Sequence, residues 1–161
     1  MFREKNDREI DNYLMELREH FKLFIELSNR PIPDTPSPYN ATEENMRKSL
    51  LDQRAYYIDM KKPFELIDST LYQLDRVWYE GREPVKLLKD WSKNFQRLFD
   101  NSIEENKLWE SPEPMGNRAN RRRQEIFNEN RKLGPKNNDL LRKAAEKIYN
   151  LLGVNIIEWL S

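Results

Sequence analysis

The side chains with the most concentrated chemistry are the arginines of Asn117-Arg118-Ala119-Asn120-Arg121-Arg122-Arg123-Gln124. A guanidinium is a planar fork that gives a phosphate two parallel, charge-assisted hydrogen bonds. Asn and Gln beside it offer donors and acceptors suited to base edges. If this run is helical, Arg118, Arg121 and Arg122 fall at i, i+3 and i+4 and share one face. Lys132, Lys136, Arg142 and Lys143 follow in sequence. The expected interface is therefore Arg118, Arg121, Arg122, Arg123, Lys132, Lys136, Arg142 and Lys143, contacting RNA or DNA mainly through its phosphates.

A second outcome competes with this one. Glu125 lies four residues after Arg121 and three after Arg122, and Glu129 lies three before Lys132. Such spacing also builds a solvated, salt-bridged helix face that carries no ligand. The chain as a whole has 28 basic and 28 acidic residues, but they are unevenly spread. Residues 1–116 hold 18 basic and 23 acidic groups, and residues 117–147 hold 10 and 4. This asymmetry suits an acidic protein surface, or self-association of opposite charges, as alternatives to nucleic acid. A protein-interaction or scaffold module is the second function class. The run Gly116–Glu125 resembles the arginine-rich peptides of phage antitermination proteins in its Gly-Asn start and its triple arginine. The likeness spans ten of 161 residues and assigns no family.

Other chemistries have less to work with. With no cysteine, there are no disulfides, thiolate nucleophiles or Cys-ligated metals. The one histidine, His20, excludes a two-His site within the chain. It falls on the charged side of the first helix, where a surface position is expected. Glu65-Leu66-Ile67-Asp68 is one ExxD pair, whereas a magnesium-dependent hydrolase needs several carboxylates converging on metal. That hydrolase is the weakest reading, so the expectation is a non-enzymatic protein without cofactor or metal. Pro33-Asp34-Thr35-Pro36 fits a polyproline-docking pattern, but a plain linker explains it as well.

The elements that must position the arginines are helices. Val and Thr each occur three times, while Leu, Lys, Arg and Glu abound. Apolar residues make up 37% and charged residues 35%. Leu, Ile, Val and Phe total 39 of 161 residues, more than a disordered chain carries. Ile10, Leu14, Leu17, Phe21 and Phe24 recur at helical spacing, predicting a first helix over about 7–27. Four prolines between Pro31 and Pro38 then impose a stiff connector. Thr42 is the expected cap of a second helix, and Pro63 opens a third that carries Phe64, Ile67, Leu71, Leu74 and Trp78. Gly81 ends it, and Pro84 begins a fourth with Val85, Leu88, Trp91 and Phe95. Ser102–Glu105 reads as a capping box, residues 111–117 as a loop, Gly134-Pro135 as a stop, and Asn137 or Asn138 as the last cap.

The expected fold is all-α, an irregular bundle of five to seven helices with a Pro-rich connector after the first helix. One domain spans 1–161: an N-terminal helix (1–28), the connector (29–41), a helical core (42–109), a loop (110–117), and the basic helix with the C-terminal helices (118–161). No apolar run approaches 18 residues and the N-terminus is charged, so neither a membrane span nor a leader is expected, and the cytoplasm is the expected compartment.

Overall fold

The computed structural model describes residues 2–34 and 42–161. Most of these are helical, with no strand among the described residues. There are four long helices: α1 (Phe2–Ser28), α2 (Glu43–Val77), α3 (Arg82–Leu108) and α4 (Asn117–Leu152). Short 3-10 turns occupy Tyr79–Gly81 and Ile156–Leu160. The expectation of five to seven helices is corrected to four, because three anticipated breaks do not occur.

Each missing break has a local reason. Pro63 and Pro135 lie inside α2 and α4. A proline removes one backbone donor, and here packing along the rest of each helix outweighs that loss. Ser102 does not cap a new helix. Its hydroxyl donates to the Leu98 carbonyl at 3.1 Å, one turn back, and α3 runs through it. The other signals hold. Thr42 caps α2 by accepting from the Asn45 amide at 3.1 Å, with Glu43 and Glu44 in the first turn. Gly153 ends α4 with φ +68°, the left-handed conformation that glycine adopts without strain. Residues 31–34 of the connector are non-helical, and its remainder at 35–41, with the second half of the PxxP pattern, lies outside the described residues.

Cross-helix contacts fix the topology. His20 meets Thr70 and Phe24 meets Phe64, so α1 and α2 are antiparallel. Arg54 meets Asn106 and Lys89 meets Asp75, so α2 and α3 are antiparallel. Arg122 meets Glu104 and Lys147 meets Glu83, so α3 and α4 are antiparallel. The result is an up-down-up-down arrangement in chain order. Among the described residues α1 and α4 do not touch directly along their backbones; the C-terminal 3-10 turn packs on both. Its Ile156 is fully buried, and Trp159 meets the Phe21 ring edge-on at 5.8 Å.

The helices differ in reach, and that divides the bundle lengthwise. At 1.5 Å per residue α2 and α4 are about 52 and 54 Å long, against about 40 Å for α1. α1 ends at the level of Met60–Phe64, so the first half of α2 extends beyond it. The apolar core lies where α1 is present. It contains Leu17, Phe21, Phe64, Ile67, Leu71, Leu74, Leu88, Trp91, Ala144 and Ile148, all buried. Phe64 is its hub, with ring centroids of Phe24, Trp91, Phe95 and Phe99 between 4.8 and 5.7 Å away. The far half, built from 43–60, 97–108 and 117–133, is polar by comparison. Ala119 and Ile126 are buried there, outside the main cluster. Asn101 and Asn106 are buried beside them and reach across to Asn130 Oδ1 and the Leu50 carbonyl, each at 2.8 Å.

Candidate nucleic-acid interface

α4 carries all eight anticipated cations on one continuous helix, so the run 118–123 and the later Lys132–Lys143 belong to one element. Ala119, Ile126, Ala144 and Ile148 form the stripe that seats α4 against α3 and the core. The remaining positions face outward or along the flanks.

The cations divide by what they touch. Arg122 is held in place by acids. Its Nη2 donates to Glu104 Oε1 at 2.8 Å, its Nε donates to the other oxygen of that carboxylate, and its Nη1 donates to Glu125 at 3.0 Å. The guanidinium draws the Glu104 carboxyl below the usual carboxylate range. Arg123 is committed to the preceding loop. Its guanidinium lies 4.0 Å from the Trp109 ring centroid and donates to Asn120 Oδ1 and to the Pro114 carbonyl. Lys143 and Arg142 share Asp139, at 2.9 and 2.8 Å, and hold its carboxyl low. All four thus have partners within the protein: Arg122, Arg142 and Lys143 are ion-paired, and Arg123 is held by a ring, an amide oxygen and a carbonyl.

The other four are different. Arg118, Arg121, Lys132 and Lys136 are exposed, and their side chains have no hydrogen-bond or ion-pair partner among the described residues. Helical geometry puts them together. Arg118 and Lys136 are 18 residues apart, five full turns, and lie in line about 27 Å from one another. Arg121 and Lys132 fall between them within about 60° of that line. Glu125 lies on the same flank but is engaged by Arg122.

Next to Arg118 the surface is concave. An open cleft of about 480 Å³ lies between the end of α3, the loop and the first turn of α4, with Leu108, Pro112 and Ala119 as its apolar lining and Glu113, Arg118 and Arg122 at its polar sides. Sequence spacing alone does not point to Trp109, Glu104 or this cleft. The signal was present in a tryptophan directly before a Pro- and Gly-rich loop that leads into an arginine run.

The remaining candidates are occupied or solvated. His20 is not a surface side chain as expected but half-buried, with Nε2 3.1 Å from Thr70 Oγ1. Thr70 is itself buried and lies 3.5 Å from Glu16 Oε2. Burial lowers the His20 pKa, against the opposing pull of Glu16 and Glu19. Asp68 accepts from Gln96 Nε2 at 2.6 Å, and Glu65 is exposed. Among the described residues no group of three or more His, Asp or Glu side chains is placed to hold a metal ion, and no helix is long and apolar enough to cross a membrane. No protein-family model, curated protein or solved structure matches this chain.

Proposed function

We propose that this chain is a non-enzymatic nucleic-acid-binding protein whose contact surface is one flank of α4. One observation carries the reading: Arg118, Arg121, Lys132 and Lys136 lie along one flank over about 27 Å without an ion pair of their own, while the acids on that flank, Glu125, Glu129 and Asp139, are paired to other cations. These cations form two pairs, Arg118 with Arg121 and Lys132 with Lys136, that reach phosphates at two places along a polynucleotide backbone. The paired arginines then have a different part. Arg122 and Arg123 fasten α4 to α3 and to the 109–116 loop, which keeps the flank straight and presented.

Fluorescence anisotropy of labelled RNA and DNA at about 50 and 200 mM salt tests it. Four phosphate contacts on a single strand predict an affinity loss of about 50-fold between those conditions. Changing Arg118, Arg121, Lys132 and Lys136 together to Gln should abolish most of the binding and flatten the salt slope. Arg122→Ala should leave the slope nearly unchanged. Absence of binding at the lower salt would overturn the reading and favour the protein-interaction alternative. In its support, Phe127 is 55% exposed on the same helix and Met115 68% exposed beside it in the loop.

A further inference from the structure

We infer, building on the nucleic-acid reading, that the ligand is single-stranded and that one of its bases enters the cleft at the start of α4. Position is the first reason. Arg118 is both a wall of the cleft and the first unpaired cation of the flank, and Arg121 follows one turn later. A strand whose phosphates meet Arg118 and Arg121 must therefore run past the opening.

The cleft has the chemistry of a base site rather than a phosphate site. Leu108, Pro112 and Ala119 give it an apolar lining that would leave a phosphate poorly solvated, while the face of a nucleobase gains by leaving water there. Arg122 is one wall, but Glu104 and Glu125 already claim its guanidinium, so it supplies a planar surface more than a free charge. Glu113 also borders the cleft and has no ion-pair partner among the described residues. Its carboxylate repels a phosphate or an acidic side chain, and accepts from the ring N–H or exocyclic amino group of a base. At about 480 Å³ the opening falls within the range of small-molecule sites.

The same geometry selects against a duplex. In a double helix the bases are stacked and offer only their edges within the grooves, so none can enter a concave site without being flipped out. An unpaired base needs no such step, and single strands are commonly held by a cationic track combined with base contacts.

The experiment compares three RNAs on the intact chain by anisotropy at about 50 mM salt: a single strand of about 12 nucleotides, an abasic strand of equal length, and a hairpin duplex. The base-bearing single strand should bind about tenfold tighter than the abasic strand and tighter than the duplex. Leu108→Asp, which puts a negative charge into the apolar lining at the end of α3, should remove that advantage while leaving abasic binding nearly unchanged. If this variant does not fold, the abasic comparison decides alone. Equal affinity for base-bearing and abasic strands would overturn the cleft assignment and leave the flank reading standing. Tighter binding of the duplex would also overturn it. Displacement of the strand by polyglutamate alone, with no preference for bases, would assign the surface to an acidic polypeptide and overturn it as well. No binding of any RNA would remove both readings.

Discussion

Arg122 of α4 and Glu104 of α3 are joined by two parallel hydrogen bonds, one from Nε and one from Nη2, to the two oxygens of a single carboxylate. Glu125 on the next turn takes a third bond from the same guanidinium. Both partners are partly open to solvent, so salt weakens the pair. Arg122→Ala is therefore expected to lower the thermal midpoint modestly in low salt and less in high salt. Glu104→Gln should give a similar loss, and the double variant should fall short of the sum. Arg122→Lys should restore little, because an ammonium cannot bridge both oxygens. Thermal melts by circular dichroism at two salt concentrations measure all of this. Strict additivity would mean that the fork contributes nothing to stability.

His20 gives the fold a dependence on pH with a definite sign. Burial lowers its pKa from the ordinary value of 6.5, ahead of the raising influence of Glu16 and Glu19. The unfolded chain then binds the proton more readily than the folded one. The stability linked to neutral His20 is complete above pH 6.5 and is lost as pH falls through the lowered folded value. Denaturant midpoints at about pH 7.5 and pH 5.5 should drop for the wild type on acidification, and drop less for His20→Gln. An equal drop in both proteins would show that His20 takes no part.

Two glycines predict opposite effects of the same substitution. A Cβ on Gly81 would stand 2.1 Å from the Trp78 ring, which is buried at the junction of α2 and α3. Gly81→Ala must push that indole aside and should cost about 1–3 kcal/mol. A Cβ on Gly134 meets nothing within 4 Å. That glycine lies inside α4, where alanine is favoured, so Gly134→Ala should stabilise by about 0.5–1 kcal/mol. Chemical denaturation of the two variants checks both signs.

Much of the bundle was legible because its core residues recur at helical spacing. Phe64, Ile67, Leu71 and Leu74 fall at helical spacing in the sequence, and all four are buried. The cap at Thr42 and the stop at Gly153 were legible because each solves a local backbone problem. The misread breaks share another cause. Pro63, Ser102 and Pro135 are helix-ending residues by local chemistry, and only long-range packing decides that the helix continues through them. Asn137 shows the same limit. It was expected as a cap, yet it lies 3% exposed inside α4 with no partner for either amide atom. At the candidate interface, residue types located the basic helix, but which cations stay free depends on acids from α3. Glu104 is 18 residues from Arg122, and no spacing rule within α4 reveals it.

The unequal division of the core predicts that the two halves of the bundle open separately. Pro63 falls where α1 ends and the aromatic cluster around Phe64 gives way to buried asparagines and ion pairs, and Pro135 lies about one turn further along α4, toward the apolar half. Each proline deprives its helix of one backbone bond near that boundary. Beyond it, α4 is fastened to α3 by Arg122–Glu104 and by Arg97–Glu129, with Ile126 as its largest fully buried side chain. Hydrogen exchange should therefore be faster over 45–58 and 120–131 than over 64–76, 85–95 and 140–149. Added salt should widen the difference, since it screens the ion pairs and leaves the apolar half intact. Ile126→Ala should accelerate exchange in the far half first, with a local cost of about 2–5 kcal/mol, whereas Phe64→Ala should lower the stability of the near half by about 3–5 kcal/mol. One opening free energy shared by all of these segments would refute the division. It would also mean that the flank of α4 is held as rigidly as the core, and that ligand binding has no local opening to suppress.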